Sequence, residues 1–204
     1  DIIDILTGGE EKATKIAMLK FHDVSTQFTS EQAFELKKKY DAKRLLIYTG
    51  PTTDEAQRLV ELIDDNRPRM ESAKIKKFTS KEDSSLRVEI LNEFKSGQTK
   101  ILVAIKCLDE GVNLPIADAA ILIESSLDDD RQWIQRRGRI LRKIEGDNRT
   151  AKILDFYPRF YTENISIRTL LSKIEDEFFD RIFEFSKSAT PESQSKLAEE
   201  WRKL

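Results

Sequence analysis

From Lys43 onward, short apolar runs alternate with longer amphipathic stretches. Arg44 to Thr49 (Arg-Leu-Leu-Ile-Tyr-Thr) reads as a buried strand closed by Gly50-Pro51, and Thr53 to Asp64 follows with Ala56, Leu59, Val60 and Ile63 at helical spacing. The unit then recurs. Lys74 to Phe78 predicts a strand, Ser80 to Lys95 a helix carrying Leu86, Ile90, Leu91 and Phe94, and Ile101 to Ile105 a fully apolar strand. Ala119 to Ile123 and Ala151 to Phe156 predict two more strands, with a helix starting near Asp128 between them. Short apolar strands separated by helices or long loops imply crossover connections, and so a mainly parallel sheet covered on both faces.

The flanks have a different character. Residues 1 to about 40 are polar and helix-prone, and the broken periodicity of Ile16, Leu19, Phe28, Phe34 and Leu36 predicts two short helices. After Pro158, Thr169 to Ser186 forms one amphipathic pattern, with Leu170, Leu171, Ile174, Phe178, Ile182 and Phe185 on its stripe. Pro191 to Leu204 begins another helix with Thr190 placed to cap it. The expected organisation is an N-terminal helical lead-in over 1–42, an α/β domain over 43–158 and a helical extension over 159–204.

Composition narrows the function classes. The chain has 204 residues, 35% of them charged, yet a formal net charge of only -2, so any nucleic-acid surface must be a local patch. The single cysteine, Cys107, excludes an internal disulfide framework. No apolar run approaches the roughly 18 residues of a membrane span, so no membrane partner is expected and a cytoplasmic location is the default. The chain opens on Asp1 rather than methionine and shows no leader, which reads as a piece of a longer protein.

Ligands of doubly covered parallel sheets bind at the carboxyl ends of the strands, which directs attention to the loops at Thr49, Thr79, Lys106 and Ser125. Two segments there carry chemistry. Gln135 to Arg142 reads Gln-Arg-Arg-Gly-Arg-Ile-Leu-Arg, four arginines around one glycine. Arginine is planar, permanently charged and able to grip phosphate oxygens through two parallel hydrogen bonds, so the cluster is either an anion clamp or a solvated basic helix face. Lys100 to Pro115 runs from an apolar strand into Asp109, Glu110, Gly111 and Asn113. The glycine permits close backbone approach to a ligand, and the side-chain oxygens can accept from sugar hydroxyls or an arginine; alternatively Asp109 caps a turn and Gly111 supplies a positive φ.

Taken together, in this order and about twenty residues apart, the two segments resemble the second RecA-like domain of superfamily-two helicases and translocases, the DEAD/DEAH group in the broad sense. The similarity covers roughly Lys43 to Phe156. It is closest to the branch reading Leu-Asp-Glu-Gly-Val-Asp-hydrophobic-Pro and Gln-Arg-x-Gly-Arg-x-x-Arg, found in DNA-repair and restriction-type motors. The resemblance implies a RecA-like three-layer α/β domain with a mainly parallel sheet, plus the N-terminal and C-terminal helices.

It also implies a set of roles. Arg142 would be the arginine finger and Arg139 a phosphate clamp, facing ATP and Mg2+ held mainly by an absent N-terminal RecA-like domain of the same parent chain. Gln135 would lie near the γ-phosphate, and if the helix runs through the motif, Gln135, Arg139 and Arg142 share one stripe. Asp109, Glu110, Gly111 and Asn113 would approach the nucleotide, Asn113 standing where the family commonly has an acid that contacts ribose. Ile105 stands where the family often has threonine. Ile47-Tyr48-Thr49-Gly50 matches the strand-end motif that opens the domain, and Phe78-Thr79-Ser80 the later strand-to-helix turn. Thr49, Gly50, Thr79 and Ser80 are thereby candidates for nucleic-acid backbone contact, while Ser80 alternatively just caps the helix with Asp83 three residues on.

No phosphate-cradling Gly-x-x-x-x-Gly-Lys-Ser/Thr loop occurs in the chain, so it is expected to be inactive alone, and the resemblance implies one half of an ATP-dependent motor on nucleic acid, with DNA favoured over RNA though the sequence does not distinguish them. No resident metal site is expected. The alternative is a non-catalytic RecA-like module that binds nucleic acid or protein.

Overall fold

The computed structural model describes residues 9–50, 52–105, 117–123, 151–187 and 189–202. Its elements are α1 (Gly9–Lys39), β1 (Leu45–Tyr48), α2 (Thr53–Asp65), β2 (Lys74–Phe78), α3 (Ser84–Ser96), β3 (Thr99–Ala104), β4 (Ala119–Leu122), β5 (Lys152–Asp155), α4 (Ile165–Ser186) and α5 (Pro191–Arg202). The chain separates into two compact units. One is His22–Phe156; the other combines the stretch up to Phe21 with Tyr157–Leu204.

In the first unit five parallel strands form a sheet in the order β2-β3-β1-β4-β5. All five apolar runs identified in the sequence are strands of this sheet. Leu45 pairs with Ile101 on one side and with Ala119 on the other, which fixes which residues share a face. Leu45, Ile47, Ile101, Val103, Ile105, Ala119, Ile121 and Ile123 lie on one face and pack with Ala56, Leu59 and Ile63 of α2 and Ala33 and Phe34 of α1. The alternate residues Leu46, Tyr48, Leu102, Ala104, Ala120 and Leu122 are equally buried. Burial on both faces is why these strands are continuously apolar instead of alternating.

The helices are held at their ends as well as by their faces. Thr52 and Glu55 form a capping box at the start of α2, and Gly97, with φ 79°, terminates α3 in the left-handed conformation that only glycine adopts freely. At the amino edge of the sheet Asp118 accepts from the Arg44 backbone N–H at 2.8 Å and from its guanidinium at 3.3 Å, tying the starts of β1 and β4 together.

Two short N-terminal helices were expected; the structure has one, α1, of 31 residues. No glycine or proline interrupts Glu10–Lys39, so nothing in the backbone breaks the helix. The apolar pattern fails where Ser25, Thr26, Thr29 and Ser30 are buried in place of hydrophobes. Small polar side chains therefore occupy positions that a hydrophobicity count scores as exposed.

On the edge strand β2, Lys74 and Lys76 reach Glu93 of α3 at 2.6 and 2.8 Å, and Thr99 donates to the same carboxylate at 2.8 Å. These contacts, Lys74 first and Lys76 next, hold the Glu93 carboxyl down to about 2 from an ordinary 4.5, against the opposing effect of its burial. A carboxylate depressed in the folded state stabilises the fold above its unfolded value and loses that contribution as pH falls toward the folded one. Stability is therefore expected to drop by on the order of 2 kcal/mol between about pH 4.5 and pH 2, after discounting for the half-exposed Lys74. Urea titrations of Glu93→Gln across that range should show a lower plateau and a flatter acid limb; a limb as steep as wild type would remove Glu93 from the explanation.

The second unit is built around α4. Its start is capped by Asn164, whose Oδ1 accepts from Ile167 N at 3.1 Å. Leu171, Ile174 and Phe178 are buried, and Phe21 meets Phe178 edge-on with ring centres 5.4 Å apart. Glu175, also buried, accepts from the Phe160 N–H at 2.6 Å and from Arg168 at 3.0 Å, so its charge is paired and hydrogen-bonded. Thr190 Oγ1 accepts from Ser193 N at 3.3 Å, the cap expected for α5.

Candidate nucleic-acid and nucleotide interface

Parallel strands place all their carboxyl ends on one edge, and on this edge the loops after β1 and β2 lie close together. Lys81 of the second loop comes within 3.9 Å of Asp54 at the start of α2. The pair is exposed and worth little energetically; it reports proximity. Thr49 continues β1 by one residue, its N–H donating to Ala104 O at 3.0 Å. Its hydroxyl is buried and makes no hydrogen bond among the described residues. A buried hydroxyl without a partner is uncommon, and a ligand oxygen at this edge would satisfy it.

Each loop also folds a glutamate back over its own donors. Glu55 Oε2 accepts from Thr52 N at 3.0 Å and from Thr52 Oγ1 at 2.8 Å. A Cβ built on Gly50 would lie 2.4 Å from that same oxygen, so glycine at this position leaves the room the carboxylate fills. Glu82 Oε2 accepts from Thr79 N at 2.5 Å and from Thr79 Oγ1 at 2.7 Å, while Lys81 N donates to Thr79 Oγ1 at 3.2 Å. A backbone N–H and a hydroxyl converging on one oxygen is the donor geometry that phosphate oxygens take, here filled by carboxylates.

The expected helix from Ser80 is corrected by this turn. Glu82 holds 79–82 away from helical conformation, and Asp83, extended at φ -65° and ψ 164°, accepts from Leu86 N at 2.8 Å as the actual cap. Helix α3 consequently begins at Ser84, and Ser80 stays exposed in the loop without capping anything.

Of the residues selected from the sequence, the structure thus brings Thr49, Gly50, Thr79 and Ser80 to the carboxyl edge. Asp109, Glu110, Gly111, Asn113, Gln135, Arg139 and Arg142 lie outside the described residues, as does the helix expected near Asp128. The sequence reading missed Glu55 and Glu82. Both follow a threonine by three, the Thr-x-x-Glu signature of a capping box, and that signal was legible at each site.

The donor set suits an anionic ligand such as a phosphate group. Among the described residues no cluster of three or more histidine, cysteine or carboxylate side chains could hold a metal ion.

Comparison with known proteins agrees with this architecture. Residues 26–143 match the family described as the helicase conserved C-terminal domain. The chain is 31% identical over 139 residues to the DNA 3'-5' translocase XPB2 of Sulfurisphaera tokodaii, an alignment covering 66% of this chain and 29% of the relative. It is 27% identical over 143 residues to UvrABC system protein B of Prochlorococcus marinus, covering 69% of this chain and 19% of the relative. The chain therefore spans less than a third of the length of these relatives. In fold it is similar to the C-terminal domain of the DEAD-box protein Dbp5, with a TM-score of 0.51 at 16% identity over 84% of this chain and 92% of that one.

Proposed function

Because the chain belongs to the helicase conserved C-terminal domain family, as a RecA-like domain of the superfamily-two type, we propose that it is the second motor domain of an ATP-dependent translocase or helicase acting on nucleic acid, DNA in preference to RNA. The observation that carries this reading is the carboxyl edge, where the loops after β1 and β2 each converge a backbone N–H and a threonine hydroxyl on one carboxylate oxygen, and where the buried Thr49 hydroxyl has no partner among the described residues. The DNA preference draws its support from the two relatives aligned above, a DNA translocase and an UvrABC component.

Ser80, exposed, would meet a backbone phosphate directly. Thr79 would do so only after the phosphate displaced Glu82, since its amide and hydroxyl are both committed to that carboxylate. Phosphate contacts of this kind position a strand without reading its sequence, as a translocating motor requires. Arg139 and Arg142 would supply fixed positive charge to nucleotide phosphates, Gln135 would lie beside them, and Gly111 and Asn113 would approach the ribose, with Asp109 and Glu110 adjacent in sequence. ATP supplies the free energy of phosphoryl transfer, and a partner RecA-like domain would hold most of it together with Mg2+. Closure and reopening of two such domains would shift one grip on the strand relative to the other. Without that partner the domain would be catalytically silent. A cytoplasmic site of action fits a motor on DNA.

The test is ATP turnover by the full-length protein with and without single-stranded and duplex DNA. Stimulation by DNA that falls as salt rises is the expected result, because backbone contacts release counterions. ATP-independent DNA binding with no turnover would instead favour the non-catalytic module.

A further inference from the structure

The two glutamates that fold back at the carboxyl edge do different work. Glu55 belongs to a helix cap: Thr52 Oγ1 accepts from Glu55 N at 3.2 Å, and the reciprocal contacts start α2. Glu82 caps no helix. Helix α3 opens at Ser84 on Asp83, and Glu82 lies before it, on the turn that leaves β2. There its Oε2 takes two donors of Thr79 at once, the N–H at 2.5 Å and the hydroxyl at 2.7 Å. Thr79 itself is completely covered, whereas its neighbours Ser80 and Lys81 are exposed.

Glu82 also differs from the carboxylates that fasten elements together. Asp118, Glu93 and Glu175 each pair with an arginine or lysine. Glu82 makes no ion pair among the described residues and is only half-buried, so it is held by hydrogen bonds that another anionic oxygen could make in its place. The register puts the turn where such an oxygen would arrive. Tyr48 and Phe78 both stand level with Ala104, so Thr49 and Thr79 leave the sheet at the same height on either side of β3. A polynucleotide laid across this edge meets both.

We propose that Glu82 is a built-in counter-ligand: its carboxylate occupies the Thr79 phosphate site whenever the strand is absent, and thereby sets how tightly this domain holds nucleic acid. This role rests on the reading of the carboxyl edge as a nucleic-acid interface. A backbone phosphate must displace the carboxylate, so apparent affinity falls with the fraction of turns left open; a turn open about one time in ten binds about tenfold more weakly. When the strand leaves, the carboxylate returns to an amide and a hydroxyl that would otherwise be buried without an acceptor, which favours release. A translocating motor must let go at every step, and this exchange makes letting go easy.

The test is the affinity of the full-length protein for a fluorescein-labelled single-stranded oligothymidylate, read by anisotropy without nucleotide. Glu82→Ala should tighten binding about tenfold and slow dissociation. Glu82→Gln keeps an acceptor for both donors but no charge; it should tighten binding about threefold, and it serves if the alanine variant fails to fold. In a Thr79→Val background one contested donor is gone, and the gain from Glu82→Ala should shrink to about threefold or less. A gain that stays undiminished there would mean that Glu82 acts only as a nearby negative charge, and would overturn the assignment, as would unchanged or weaker binding in both Glu82 variants. Ser80→Ala tells this failure from that of the edge itself. If Ser80→Ala weakens binding while the Glu82 variants do not tighten it, only the counter-ligand falls; if none of these variants moves the affinity, the nucleic-acid reading of the edge falls with it.

Discussion

Replacing Arg142 by alanine in the full-length protein is expected to lower DNA-stimulated ATP hydrolysis by about 10³- to 10⁵-fold while nucleotide affinity changes little. The asymmetry follows from where the charge matters. A guanidinium fork aimed at oxygens that gain charge only as the γ-phosphoryl group departs stabilises the transition state more than the bound ground state, so turnover falls and binding persists. Arg142→Lys should recover only part of the loss, because an ammonium restores the charge without the paired, planar donors. Phosphate release and the affinity of a fluorescent nucleotide analogue separate the two effects. Turnover within tenfold of wild type in Arg142→Ala would sink the finger assignment and leave the cluster as a basic surface.

The largest effect on the fold itself is expected from Phe94→Ala. Phe94 is completely buried on α3, the helix that packs on β2 and β3, and truncating it leaves a cavity that the surrounding strands cannot close. The expected loss is about 3–5 kcal/mol. Leu86, one of the four apolar residues that defined the same helix in the sequence, is 39% exposed, and Leu86→Ala should cost only about 0.5 kcal/mol. Urea unfolding with an unchanged denaturant slope measures both. Similar costs for the two substitutions would mean that α3 does not seat on the sheet through Phe94.

That pair marks where the sequence was legible. Periodicity identified α3 and placed Phe94 and Leu86 on one stripe, but a stripe has a centre and margins, and only the position of the sheet tells which residue is which. The Thr79 turn shows the same limit at the candidate site. Phe78-Thr79-Ser80 marked a strand-to-helix passage, yet whether Ser80 or Asp83 capped the helix depended on Glu82 folding back on Thr79, a choice between nearby acceptors that spacing alone does not rank. On α1 the error ran the other way: buried Ser25, Thr26, Thr29 and Ser30 looked like solvent-facing positions, and a single helix read as two.

The sequence by itself determined the strand runs, the crossover connections between them and the family, because apolar runs buried on both faces and a pair of spaced motifs are local patterns that survive without coordinates. Only the tertiary structure decided the strand order β2-β3-β1-β4-β5 and the meeting of the β1 and β2 loops at one edge. Those juxtapositions join residues tens of positions apart. They arise from long-range strand pairing, which hydrophobic burial drives without leaving any local trace of which strand will lie beside which.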